Sequence, residues 1–307
     1  MLKLQRELEK FNLDHLVAYN APLAPLTTFR VGGPADALAR PRSAQEVADL
    51  VRWSRHREVP LTILGGGANV VISDRGIRGL VIHTGGLQGL NRSGTLLTVG
   101  AGTPISDASA YAADHDMEGL SFIYAMPGST GGAIWMNARC YDGEIAPVLE
   151  ETRYVNLGEP ELGSIGVYRT DLKDFDYKVS PFQDGRRIIV EATFRLTPGD
   201  RTELYRQMKE HEEDRRRKGH FLAPCAGSVF KNNRAFGAPS GQIIDRVGLR
   251  GTRIGGARVS DRHGNIIINT GNATAREIRD LAETVQNKVE QHTGFTLEPE
   301  ILFLGEW

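Results

Sequence analysis

The sequence predicts an α+β fold, and three observations predict it. Helix-start signals and β-branched, strand-like runs mingle along the chain without a strict strand–helix–strand repeat. Glycine is in excess, at 35 of 307 residues, above the ordinary ~7 per cent. It clusters at 65–67, 128–132 and 251–256, between apolar segments, which suggests close backbone approach more than a flexible linker.

Taken in order, the elements follow from local signals. Ser43 with Glu46 three residues on is a capping box, opening a helix to about Arg57. Strand-like runs follow at Leu61–Leu64, Leu80–His83 and Leu96–Val99, with Gly or Pro at their borders. Pro104 suits the first position of a helix containing Ala108 to Ala113. Ile188–Leu196 reads as a strand, and Pro198-Gly199-Asp200 as a domain boundary. Glu203 to Lys218 predicts a long charged surface helix, and Ile266–Asn269 another strand. Thr274 and Glu277 form a second capping box, with Ile278, Leu281, Val285 and Val289 at helical spacing. Leu297–Leu304 closes the chain as a strand. The expected division is 1–85, 86–198 and 199–307, in keeping with domains of about 100–200 residues.

Composition excludes several function classes. Lys plus Arg is 37 and Asp plus Glu 38, a formal charge of −1, so nothing global calls for nucleic acid or an anionic membrane. The one basic cluster is Arg215-Arg216-Arg217-Lys218. Two cysteines, Cys140 and Cys225, make neither a disulfide scaffold nor a zinc motif, and no metal is expected. The start, MLKLQRELEK, carries no apolar signal core, and no apolar run approaches the ~18–20 residues that span a bilayer. A cytoplasmic protein without an obligate protein partner is the expectation.

Leu61–Leu64 empties into Gly65-Gly66-Gly67-Ala68-Asn69. A strand ending in three glycines presents bare amides, an anion-binding nest. It is not the dinucleotide fingerprint, because position 70 is Val70, and no Lys-Ser/Thr makes it a Walker loop. A second such loop, YAMPGSTGGAIWMNA, runs from Pro127 to Gly132. Two glycine-lined loops could hold a pyrophosphate from two sides; each alone could equally be a tight turn.

These residues carry a resemblance. Thr28 to Gly33, Leu64 to Val70, Met126 to Ala133 and Met136-Asn137-Ala138 resemble the UDP-N-acetylenolpyruvoylglucosamine reductase family. Tyr177-Lys178-x-Ser180-x-Phe182, Ala226 to Asn232 and Leu297-Glu298-Pro299-Glu300 agree, in order, from about residue 18 to 305. The short stretch between Asn232 and Gly241 is similar to the compact, type II-like subclass. The resemblance implies an FAD-binding fold of the vanillyl-alcohol-oxidase (PCMH) type with a C-terminal α+β substrate-binding domain. It implies FAD and NADPH as cofactors, and UDP-N-acetylglucosamine enolpyruvate as a substrate reduced to UDP-N-acetylmuramate for peptidoglycan. Cofactor binding then falls to Gly65, Gly66, Gly67, Ala68, Asn69, Val70, Pro127, Gly128, Ser129, Thr130, Gly132, Ala133 and Ile189. A Cβ on most of the loop residues is expected to keep the phosphates away.

The resemblance further implies hydride delivery to the enolpyruvyl β-carbon and a proton to the α-carbon. The enolate-like charge between those events needs a cation or donors at the substrate carboxylate and a positioned acid at carbon. Ser228 matches the family's proton donor, although alone it reads as a turn serine between Gly227 and Val229. Glu300 matches the essential carboxylate; periodicity alone could equally select Glu298. Lys178 stands where the family usually has arginine, keeping the charge and losing the bidentate fork. Tyr141, Tyr177, Lys218 and Asn232 match or neighbour positions touching the nucleotide sugar. Ile189 alone reads as core, and Cys225 as packing. Two rivals keep the glycine loops without the second-half motifs: an FAD-linked oxidase of the same fold, and a non-catalytic nucleotide-binding module.

Overall fold

The structure, a computed structural model, describes residues 8–307; the reading of the first seven residues lies outside the described range. The chain forms two compact units, each assembled from separated segments. The first comprises residues up to Asn20, Asp36–Gly66 and Gly79–Glu212; the second comprises Ala21–Ala35, Gly67–Arg78 and Glu213–Trp307.

The first unit is built on two sheets. One is five-stranded and antiparallel, in the order Ile165–Arg169, Leu149–Asn156, Arg187–Arg195, Leu96–Gly100, Leu90–Ser93. The other, lying mainly in this unit, ends on Leu61–Leu64, which pairs in parallel with Ile77–His83, Leu61 opposite Leu80. Helix α1 (Ala44–His56) starts at Ser43, whose Oγ accepts the Glu46 amide. The box is only half formed, because Glu46 Oε2 accepts from the Arg42 amide at 2.6 Å instead. Its face of Val47, Leu50, Val51 and Trp53 joins the strand residues Leu80, Leu97, Val99 and Phe194 in one core, as an apolar stripe at helical spacing must. Helix α2 (Ile105–Asp114) has Pro104 as its N-cap, one place earlier than expected. Helix α3 (Thr130–Trp135) follows the second glycine loop. Helix α4 (Arg201–Lys218) buries Leu204 and Met208 against Ala113.

The second unit holds helix α5 (Ser240–Arg246), helix α6 (Ala275–Thr293) and the antiparallel sheet Arg253–Ile254, Ala257–Val259, Ile267–Asn269. The α6 capping box is complete, and both Asp74 oxygens accept from the Ala275 and Arg276 amides as well. Ile278, Leu281, Val285 and Val289 lie in the core as expected. The final strand is shorter than the sequence suggests. Only Leu302–Leu304 pairs, in parallel with Val70–Ile72, because Pro299 has no N–H to give a ladder and makes only an isolated bridge with Phe230. The strands Leu149–Asn156 and Ile165–Arg169 escaped the sequence reading: the first carries Glu150, Glu151 and Arg153 off its buried positions, and the second has no buried residue, with Ile165 and Val167 exposed. Among the described residues no helix is long and apolar enough to cross a membrane.

Candidate active site

In the first unit the structure brings the two glycine loops together. Ser129, buried at the head of α3, accepts at its Oγ from the Gly66 amide at 3.1 Å and from the Gly132 amide at 3.3 Å. Gly66 and Gly132 thus share one hydroxyl, whose own hydrogen is left to donate elsewhere. Thr130 donates its amide and hydroxyl to Thr103 O, and Gly131 donates to Ala101 O at 2.8 Å. The expected reason for the glycines needs correcting. A Cβ on Gly66 meets the Gly128 Cα and Ser129 N at 2.7 Å, and one on Gly65 meets Ser129 Oγ at 2.7 Å. The other loop forbids side chains there before any phosphate does. Both loops still reach the surface, at Gly66 and Pro127. The glycine-lined backbone and the unspent hydrogen of the Ser129 hydroxyl fit a pyrophosphate of the FAD type. Thr130 and Ala133 are buried beneath the loop, and Ile189 is a core residue opposite Tyr154.

Lys178 occupies a tight turn. Asp176 and Val179 exchange both backbone hydrogen bonds, and Lys178 sits between them at φ +61°. That is costly for a side-chain-bearing residue, so the surroundings must impose it. They do. Gln183 Nε2 donates to Lys178 O at 3.0 Å and to Trp135 O at 2.8 Å. Ser180 Oγ donates to the same Trp135 carbonyl, and the buried Asn137 donates to Asp176 O at 3.0 Å. The turn is therefore latched to the end of α3, the helix that begins at the second glycine loop. Ser180 and Asn137 were quoted in the sequence motifs without a role; Gln183 was missed, since nothing local marks it.

The second unit contains Ser228 and Glu300, and one hydrogen-bonded frame holds both segments. Glu300 N–H donates to Val229 O at 2.7 Å, Lys231 N–H to Glu298 O at 2.9 Å, and Val229 N–H to Asn265 O at 2.9 Å. Ser228 bridges Ile266 on one flank, and Phe230 bridges Pro299 on the other. Both Ser228 and Glu300 are half-buried. Glu298 ends in an ion pair with Lys231 Nζ at 2.5 Å and is largely exposed, so its carboxylate is engaged elsewhere. Asn69 Nδ2 donates to Glu300 O at 2.9 Å, and Asn69 O accepts from Leu302 N–H. A residue expected at the cofactor thus braces the glutamate segment. Gly67 and Ala68 lie beside it, and Val70 begins the strand paired with Leu302.

The remaining candidates are also engaged with protein. Tyr141 stacks on His211 at 4.0 Å and donates its hydroxyl to His211 O. The Tyr177 amide donates to its neighbour Asp176 Oδ1 at 2.6 Å. Lys218 is exposed and paired with Asp214 at 2.6 Å, and Asn232 Oδ1 accepts the Ser240 amide at 2.9 Å. The basic run is not one solvated face: Arg215 is buried, whereas Arg216, Arg217 and Lys218 are exposed. Nearby, His220 and His263 stand 6.2 Å apart. Burial first, then Arg215 and His263, holds His220 down to about 4; burial also lowers His263. Cys225 is buried, its thiol pushed up by burial.

Residues 219–304 match the C-terminal domain of UDP-N-acetylenolpyruvoylglucosamine reductase, and residues 35–157 match an FAD binding domain. UDP-N-acetylenolpyruvoylglucosamine reductases of Treponema denticola and Synechococcus sp. are each 39% identical. They cover 95% and 93% of this chain, which covers 94% and 90% of them. The crystal structure of the reductase from Thermus caldophilus superimposes with a TM-score of 0.78 at 32% identity, covering 94% of this chain and 98% of that one. The fold is the FAD-binding, PCMH-type fold with a C-terminal α+β domain, and the cofactor of this fold is FAD. The chain belongs to the UDP-N-acetylenolpyruvoylglucosamine reductase family, the enzymes of a reductive step in peptidoglycan synthesis.

Proposed function

We propose that the chain catalyses NADPH-dependent reduction of UDP-N-acetylglucosamine enolpyruvate to UDP-N-acetylmuramate in the cytoplasm, with FAD as the intermediary. The subdomain division at residues 85 and 198 belongs to the same proposal. So do the assignments of Gly65 to Val70, Pro127 to Thr130, Gly132, Ala133 and Ile189 to the cofactor, and of Tyr141, Tyr177, Lys218 and Asn232 to the nucleotide sugar.

FAD, when bound, supplies two-electron hydride chemistry between NADPH and the vinyl ether. The chain's residues do the rest. The loops around Gly66, Gly128 and Ser129 would hold the pyrophosphate, the Ser129 hydroxyl keeping its own hydrogen to donate. Lys178 supplies the positive charge that stabilises the substrate carboxylate as charge spreads onto it when the β-carbon gains hydride. Ser228 Oγ–H gives its proton to the α-carbon, and Glu300 orients and relays at the carboxylate end. One hydride and one proton enter the double bond, so NADPH and a proton are consumed per turnover.

The observation that carries this reading is the frame tying the Ser228 and Glu300 segments together through Glu300 N–H to Val229 O. It sets the segments of the proposed proton donor and carboxylate side by side, as two groups acting on one substrate require. The test uses the yellow holoenzyme. NADPH should bleach it, and only the enolpyruvyl nucleotide should restore the colour. Turnover with oxygen alone, indifferent to that nucleotide, would make the chain an oxidase.

A further inference from the structure

We propose that Asn265 is the positioning residue for Ser228. The proposal rests on the reading of Ser228 as proton donor and deepens it.

Asn265 is 2% exposed. Its Oδ1 accepts Phe230 N–H at 2.9 Å, its Nδ2 donates to Phe230 O at 2.7 Å, and its main-chain O accepts Val229 N–H at 2.9 Å. Its own N–H donates to His263 Nδ1 at 3.2 Å. One side-chain amide therefore satisfies both backbone groups of the buried Phe230, a task normally left to a neighbouring strand. No strand is available there, because Ile267–Asn269 begins only two residues later. The amide substitutes for the missing ladder.

On the other side of Ser228 the chain passes through Gly227, beside the isolated Ser228–Ile266 bridge. Gly227 sits at φ +70° with nothing within 4 Å of a Cβ position, so that flank is conformationally permissive. The side of Ser228 open to a side-chain clamp is then the C-terminal one, where Asn265 holds Phe230 through its amide and Val229 through its main-chain carbonyl. Proton transfer to carbon needs the donor oriented within tenths of an ångström, so loosening this clamp reaches the chemistry without touching substrate.

The test compares Asn265→Ala, Asn265→Asp, Ser228→Ala and the Asn265→Ala/Ser228→Ala double variant by rapid mixing of holoenzyme. Asn265→Ala should bleach with NADPH within about twofold of the parent rate and recolour with the enolpyruvyl nucleotide about tenfold more slowly or worse. In the Ser228→Ala background the same change should cost less than about twofold, since residues acting through one group are not additive. In the flavin-free Asn265→Ala chain, amide exchange at Phe230, whose N–H loses its side-chain acceptor, should rise about tenfold while α6 stays protected. Asn265→Asp keeps the acceptor for Phe230 N–H and loses the donor. It should fall between parent and alanine, and it carries the comparison should the alanine variant not fold. Recolouring at the parent rate, equal slowing of both halves, or full additivity with Ser228→Ala would overturn the positioning role. Parent-like recolouring by Ser228→Ala would instead remove the donor reading beneath it.

Discussion

At the scale of single residues, Lys178 is the most constrained of the proposed catalytic groups. Its backbone sits at φ +61° in a turn held by Gln183 and Asn137, so the ammonium is presented by a rigid corner rather than by a loose loop. A change of side chain there should act on charge more than on fold. Lys178→Arg should keep activity within a few-fold, while Lys178→Ala should lose about 10²–10³ in kcat, the range for removing one charge-stabilising donor. Steady-state NADPH oxidation with the enolpyruvyl nucleotide measures both, and a fully active alanine variant would mean the cation is another residue. Gln183→Ala tests the latch itself. It frees the Lys178 and Trp135 carbonyls and should lower kcat without changing FAD content.

At the scale of elements, the glycine loops and the helix caps carry the argument. Gly66→Ala places a Cβ 2.7 Å from two backbone atoms of the other loop, a contact that flexible side-chain motion cannot relieve, so the loops must part. We expect about tenfold or greater loss of retained flavin, read from absorbance after gel filtration, since a misplaced site loses binding steeply. Gly89→Ala, with nothing within 4 Å, should stay fully yellow. A yellow Gly66→Ala protein would show that loop contact does not govern the cofactor. The two capping sites differ as well. Thr274 sits in a reciprocal box reinforced by Asp74, whereas Ser43 has only the forward half. Thr274→Ala should cost about 1–2 kcal/mol in urea unfolding and Ser43→Ala about 1 kcal/mol or less.

At the scale of the whole molecule, the His220–His263 pair predicts how stability depends on pH. Both imidazoles are held below their ordinary value, His220 at about 4, with burial as the main cause and Arg215 next for His220. In the unfolded chain they titrate near ~6.5. Below that value the unfolded state binds protons that the folded state refuses, so stability falls as pH drops from about 6.5 toward about 4 and is fully present above it. For His220 the ceiling is roughly 3 kcal/mol, and partial exposure reduces it to about 1–2 kcal/mol. Urea midpoints at pH 7.5 and 5 measure it, and His220→Gln should flatten the slope. An unchanged slope would mean that carboxylates, not this pair, set the acid limit.

Much was legible in the sequence because the signals were local. Capping boxes, apolar spacing in α1 and α6, and strands bordered by glycine are decided within a few residues, where backbone sterics and short-range hydrogen bonds act. The family motifs lay in order along the chain, and with them the candidate groups Ser228, Glu300 and Lys178. Only the tertiary structure decided what those residues lean on. That Asn265 braces Phe230, that Asn69 holds the Glu300 segment, and that Gly66 must be bare because Gly128 and Ser129 lie against it are facts about residues 35, 231 and about 60 places apart. The shortening of the last strand likewise awaited the partner that Pro299 could not bond. Such pairings are hydrogen bonds and contacts between distant segments, and their energy exists only once the chain has brought the two together.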